Sequence, residues 1–265
     1  MHADFKLLPA ELLPAYSAAV ADMPLHNVDA LVESELTTAT FSFHTSASAV
    51  YSSRIEGEDI ELDAYVKHKR FDIAFLPDYT QRADDLYEAY QFAKTNKCDR
   101  TNLLAAHAML TAHILAPGKG GRLRTSMMYV STPEGRIAYV AVPPQHMQEE
   151  LEKFFEDLDT LQRAELTRAE AFFFAAVLHL VLVNIHPFDD GNGRCARLME
   201  KWFLASKLGE KAWLIPSERN YFSHLQAYYR NLALLGLEYE TLDYGRSLPF
   251  LLMLPASLTM NTQER

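Results

Sequence analysis

Cysteine is nearly missing from this 265-residue chain, which has only Cys98 and Cys195, far apart and in no C-x-x-C pair. That excludes a disulfide framework and a cysteine zinc site, and makes a reducing, intracellular setting the expectation. Glycine and proline are sparse as well, at 10 and 12. With no low-complexity tract, repeat or Pro/Gly/Ser-rich linker, collagen-like and disordered classes fall away and one domain over 1–265 is expected. Positive charge is in deficit: 25 Lys and Arg face 35 Asp and Glu, a formal net charge of −10. No basic run offsets it locally, so nucleic acid is not an expected partner. The densest apolar stretch, Ala171 to Ile185, is 15 residues long and contains His179 and Asn184, which suits a buried helix better than a membrane span. The N-terminus MHADFKLLPAELLPAYS lacks a basic segment followed by a long apolar stretch. No secretion signal or membrane partner is therefore expected, and the expected location is the cytoplasm.

What is present is mostly helical patterning, in a chain that is 49% hydrophobic. Helices are expected over about 9–21, 27–36, 44–56, 59–70, 80–96, 100–115, 144–160, 164–185, 193–207, 217–235 and 239–253, several stopped by Gly57, Pro117-Gly118 or Gly209. Residues 126–142 differ, because two β-prone runs flank Thr132-Pro-Glu-Gly135, a hairpin signal. A lone hairpin needs the helices for support, and its outer edge is then free to pair with another chain or to be plain surface.

The segment richest in chemistry is His186-Pro-Phe-Asp-Asp-Gly-Asn-Gly-Arg-Cys-Ala-Arg197. It closes the long apolar helix and opens the next. Gly191 and Gly193 permit a tight bend, and the amides at a helix start have no intrahelical acceptor, so they suit an anion. Arg194 and Arg197, three apart on one face, can grip phosphate oxygens. Asp190 adds a carboxylate suited to Mg²⁺, which needs only one or two protein oxygens when phosphates supply the rest. His186 can accept a proton near neutral pH. Taken singly, each is ordinary; the combination is not. Pro117-Gly-Lys-Gly-Gly-Arg122 is glycine-rich but completes neither a P-loop nor G-x-G-x-x-G. His179 lies two turns before His186, yet a two-His metal site lacks a carboxylate in the sequence pattern, and a backbone carbonyl is its expected partner.

Residues 186–197 match every specified position of HPFx(D/E)GNGRxxR and so resemble the signature of the Fic family. His179 and Ile185 fit the usual residues before it, Arg122 or Arg124 with the hairpin and Pro143-Pro144 resembles the family's flap, and Tyr228-Tyr229 resembles its tyrosine pair. Leu182 stands where the family often has Phe. The resemblance implies a mainly α, Fic-fold helical domain with one β-hairpin flap: an N-terminal helical region over 1–95, the core over 96–235 and a helical extension over 236–265. It implies transfer of AMP from ATP to a Ser, Thr or Tyr hydroxyl of a target protein. His186 would be the base and Asp190 the Mg²⁺ ligand. Gly191, Asn192, Gly193, Arg194, Arg197 and Tyr229 would bind nucleotide, Tyr229 facing the adenine. Gly193, where a phosphate-transferring branch has Lys, favours AMP transfer.

Ser52-Ser-Arg-Ile-Glu-Gly57 also resembles the family's inhibitory (S/T)xxxE(G/N) motif, carried by Ser52, Glu56 and Gly57 on a helix at about 44–57. By that resemblance Glu56 would neutralise Arg197 and restrain the enzyme. Two alternatives stay open: a de-AMPylating hydrolase using the same site, with Glu56 orienting water, and a nucleotide-regulated binding protein. The target, docking on the hairpin 126–142, is unidentified; self-modification and a homodimer are compatible with the pattern.

Overall fold

A computed structural model describes residues 4–131 and 134–259. Among them the helices are α1 (Leu13–Ala19), α2 (Phe43–Ile55), α3 (Leu62–Phe71), α4 (Pro77–Thr95) and α5 (Arg100–Leu110). Strands β1 (Tyr129–Ser131) and β2 (Ile137–Val140) follow, then α6 (Pro144–Arg163), α7 (Arg168–Ile185), α8 (Asn192–Leu208), α9 (Ser217–Ser223), α10 (Leu225–Ala233), α11 (Leu248–Leu251) and α12 (Met253–Ala256). This is the mainly helical architecture with one hairpin that the sequence implied. Thr132 and Pro133 of the expected turn lie outside the described residues.

The apolar stretch became α7, the axis of the molecule. A capping box of Thr167 and Glu170 starts it, satisfying two orphan N–H groups. By length and a mean hydropathy of 1.6 it could cross a bilayer, but 78% of it is buried in the protein. Its closest partner is α8, joined to it by only the six-residue bend 186–191. A bend that short holds the end of one core helix against the start of the next.

α2 is built differently. Its buried face is Thr45, Ser46, Ser48, Ala49, Ser52 and Ser53 with few large apolar groups. Small residues let its backbone lie close to α4, α9 and α8, and polar contacts replace hydrophobic grip. Ser48 hydrogen-bonds the buried Lys201–Glu218 ion pair.

The β1–β2 pair is antiparallel, with Tyr129 opposite Val140 and a bulge after Val130. The inner strand is fastened: Val140 N–H donates to Leu237 O at 2.8 Å, and Tyr139 Oη donates to Asn184 O at 2.7 Å. Among the described residues the far edge of β1 pairs with no strand, as expected.

Four expected helices differ. Residues 27–36 form only a 3₁₀ turn over Leu25–Ala30, because Ser34 and Thr37 side chains accept backbone N–H groups from Leu36 and Phe43 and so compete with the helix. The helix expected over 217–235 breaks at His224, whose ring Nδ1 lies 3.0 Å from the Asn220 carbonyl. The one expected over 239–253 is a series of one-turn pieces, since Gly245 and Pro249 interrupt the ladder. The helix expected over 100–115 stops at Leu110, where the Thr111 hydroxyl takes the His107 carbonyl.

Candidate active site

A cavity of about 620 Å³ opens where α7 ends and α8 begins. His186, Gly193, Arg197 and Glu56 line it together with the apolar Val130, Val183, Leu232 and Ala233 and the aromatic Tyr139, Tyr228 and Tyr229. His186 ends α7 in the left-handed region, φ 53°. This conformation is uncommon for a non-glycine residue and turns the ring out of the helix line. Its Nδ1 lies 3.1 Å from Val183 O. A carbonyl can only accept, so Nδ1 carries the proton and Nε2 keeps its lone pair. Burial is the largest influence on the imidazole and sets its pKa below the usual histidine value. Its carbonyl receives Arg124 Nε at 2.6 Å. Arg124, buried and also donating to Ser126 O and Val142 O, is thus the arginine that ties the flap to the bend, while Arg122 is exposed.

The bend is drawn tight. Asn192 closes it with both arms, Oδ1 accepting from Phe188 N–H and Nδ2 donating to Phe188 O, each at 2.9 Å. Its side chain is therefore occupied by the turn, so its backbone amide is what faces a ligand at the helix start. The Gly191 amide is taken by Asp190 Oδ1 at 2.6 Å, leaving Asn192, Gly193 and Arg194 as the helix-start amides with no side-chain cap among the described residues. A Cβ on Gly191 (φ 79°) would sit 2.6 Å from Thr111 Cγ2. Asp190 itself is exposed, so its carboxylate is accessible to a cation. Among the described residues no group of three or more His, Cys, Asp or Glu forms a metal cluster.

The helix start already holds an anion. α8 has no side-chain cap of its own. Glu56, at the C-cap of α2, places Oε1 2.6 Å from Arg197 Nη2. It lies so near the first turn that a Cβ on Gly193 would be 2.5 Å from it. Arg197 is wholly buried; it donates to Ser52 Oγ at 2.8 Å and Ser52 O at 3.1 Å, and its Nη1 lies 3.4 Å from Tyr228 Oη. Burial works against ionisation of Glu56, but Arg197 and then Arg194 outweigh it and hold the carboxyl below the ordinary glutamate range. Gly57, φ 90°, lets the chain turn away immediately afterwards.

Two features were not legible beforehand. Glu58 Oε1 accepts from Arg194 Nη2 at 3.1 Å and from Arg82 Nη1 at 2.6 Å, so each arginine of the clamp faces its own carboxylate. The Arg194 side chain is 4% exposed, and its Nε has no partner among the described residues. The only hint was Glu58 following the motif by one residue. The second is His107 on α5. Its Nε2 lies 2.9 Å from Asp190 O, its Nδ1 2.9 Å from Gly121 N, and its ring stacks on Phe188 at 3.6 Å. Burial pushes this imidazole down to about 4. A single histidine in a helix gave no signal of this.

Tyr229 lines the cavity while its hydroxyl donates to Ile55 O at 2.9 Å, pinning the end of α2. His179 corrects an expectation: its partners are the Glu200 carboxylate at 2.8 Å and Tyr228 Oη at 3.0 Å, not a backbone carbonyl.

Comparison with known proteins adds independent findings. Residues 97–204 match the Fic/DOC family. The chain is 37% identical over 83 residues, 31% of its length, to "Protein adenylyltransferase fic-1" of Caenorhabditis elegans, covering 15% of that protein. It is 45% identical over 64 residues, 23% of its length, to the "Uridine 5'-monophosphate transferase" of Xanthomonas campestris pv. campestris, covering 12% of that protein. It is 30% identical over 124 residues, 46% of its length, to "Protein adenylyltransferase Fic" of Drosophila yakuba, covering 23% of it. The chain thus spans less than a quarter of each of these relatives. Among solved structures, a Fic family protein from Desulfovibrio desulfuricans G20 superimposes with a TM-score of 0.68 at 21% identity, over 97% of this chain and 74% of that one. At that identity the likeness concerns the fold.

Proposed function

Because residues 97–204 are a Fic/DOC-family domain, we propose that this chain is a nucleotidyltransferase that moves AMP from ATP to a Ser, Thr or Tyr hydroxyl of a protein and is restrained by its own α2. The observation that carries this is the Glu56 carboxylate, an anion seated against the buried guanidinium of Arg197 at the start of α8. An anion there stands in for a terminal phosphate, and the cavity of about 620 Å³ beside it has apolar and aromatic lining suited to a base.

In this proposal the target hydroxyl gives its proton to His186 Nε2, the nitrogen left unprotonated by the Val183 contact. The hydroxyl oxygen bonds to the α-phosphorus as the bond from that phosphorus to the β-bridging oxygen breaks, and pyrophosphate leaves. The Gly193 and Arg194 amides at the helix start and the two guanidiniums balance the phosphate charge. Asp190, exposed and beside the nest, fits Mg²⁺ with phosphates and water completing its shell. When bound, Mg²⁺ would neutralise charge on the α- and β-phosphates. The free edge of β1, with Tyr129 49% exposed, is where an extended target segment would lie, and a second copy of the chain is one such target.

The restraint is double in this proposal: Glu56 occupies Arg197 while Glu58 occupies Arg194, so ATP must displace both carboxylates to seat its phosphates. A second reading, hydrolytic removal of AMP, is favoured by Glu56 and His186 facing one cavity; mass spectrometry of a modified target incubated without ATP detects it.

The deciding experiment incubates Glu56→Gly protein and Mg²⁺ with ATP labelled at the α- or the γ-phosphate, and with α-labelled UTP. Label entering protein from α-labelled ATP is expected. Label from γ-labelled ATP overturns AMP transfer, preference for UTP overturns the choice of nucleotide, and no label from any of them overturns the transferase proposal.

A further inference from the structure

Resting on that transferase proposal, we propose that His107 is a positioning residue that aims the Asp190 carboxylate. His107 lies on α5, outside the signature, and is 0% exposed. A backbone N–H can only donate, so the 2.9 Å contact from Gly121 N makes ring Nδ1 the acceptor and leaves the proton on Nε2. Nε2–H then donates to Asp190 O at 2.9 Å. That carbonyl belongs to the same planar peptide as the Gly191 N–H, which the Asp190 carboxylate itself holds at 2.6 Å. The ring fixes the peptide plane, and the peptide plane fixes the carboxylate.

The packing around it leaves no slack for another arrangement. The ring stacks on Phe188 at 3.6 Å and 12°. Two consecutive glycines bring this loop's backbone into contact with α5: a Cβ on Gly121 would be 2.7 Å from Leu104 O, and one on Gly120 would be 2.9 Å from Ala108 Cα. The glycine-rich run 118–121 therefore serves as a wall against α5 that presents an N–H to this imidazole. Replacing the ring by a hydrocarbon would leave Gly121 N–H and Asp190 O unpaired, so a histidine that merely filled space would be a poor choice.

Two substitutions separate aim from filling. Both lose the stacked ring, but the Oδ1 of His107→Asn falls where Nδ1 was and keeps the Gly121 bond. The Nε2 of His107→Gln falls where the ring Nε2 was and keeps the bond to Asp190. In the Glu56→Gly background, ATP binding is measured by calorimetry across a Mg²⁺ series, alongside melting temperature and hydrogen exchange of the Gly191 amide without nucleotide. The expected result is a Mg²⁺ requirement raised by about tenfold or more in His107→Asn and by less in His107→Gln, with unchanged Mg²⁺-free affinity and similar melting temperatures. Faster Gly191 exchange in His107→Asn alone accompanies it. Equal behaviour of the two variants, tracking their melting temperatures, overturns the proposal. If the Glu56→Gly parent binds no nucleotide, the transferase proposal fails instead, and the Gly191 exchange rates still decide the role of His107.

Discussion

Replacing Glu56 by Gly tests how much the α2 carboxylate restrains the site. Arg197 is fully buried, while the Glu56 side chain retains 28% exposure toward the cavity. Removing one partner of a fully buried ion pair costs about 3–5 kcal/mol; the water that reaches Glu56 reduces this to about 2–3 kcal/mol. In the free protein that loss appears as a lowered melting temperature, since among the described residues Arg197 is left with the Ser52 and Tyr228 oxygens. In the presence of ATP the same energy no longer has to be overcome. At 1.36 kcal/mol per factor of ten, about 2–3 kcal/mol corresponds to roughly 30- to 150-fold faster labelling. Two assays check it together: incorporation from α-labelled ATP, and melting temperature with and without Mg²⁺-ATP. The variant should be less stable than wild type alone and gain more from nucleotide. A variant that is as stable as wild type and labels at the wild-type rate would refute the claim that this ion pair is the restraint.

Further outcomes follow from neighbouring contacts. Glu58→Gln in the Glu56→Gly background should raise labelling again, by severalfold, because Arg194 is then freed; no change shows that Glu58 is only a surface pair. His186→Ala should abolish labelling while ATP binding by calorimetry persists, since the clamp is intact. For pH, the lowered His186 value means the reactive neutral form persists below 6.5. The rate should therefore fall only as pH drops through a midpoint below 6.5, and lower still in Glu56→Gly, whose missing carboxylate no longer raises it. The Glu56 carboxyl is depressed in the folded state, so its stabilisation is fully present above about pH 4.5. The melting-temperature advantage of wild type over Glu56→Gln should then disappear as pH falls below that value.

The apolar run 171–185, the bend after it and the arginine pair were legible because each rests on local rules: helical periodicity, glycine at a turn, residues three apart on one face. The paired carboxylate on Arg197 was legible only through the resemblance of Ser52, Glu56 and Gly57 to a motif. The helices expected over 27–36 and 239–253 failed where side chains accepted backbone N–H groups or a proline removed one, neither of which periodicity registers. That the Asn192 side chain closes the turn on Phe188 was not legible either, since the same residue type serves equally well to contact a ligand.

By itself, then, the sequence determined which short segment bends, which helix start is left with free amides, and which charges share its face, since all of these are settled within a dozen residues. Tertiary structure decided what fills that site. Glu56 and Glu58 reach Arg197 and Arg194 across 141 and 136 residues, and His107 reaches Asp190 across 83. Such contacts exist only once α2 and α5 are packed against α8 and its leading bend. Their partners follow from how helices dock, not from any spacing along the chain.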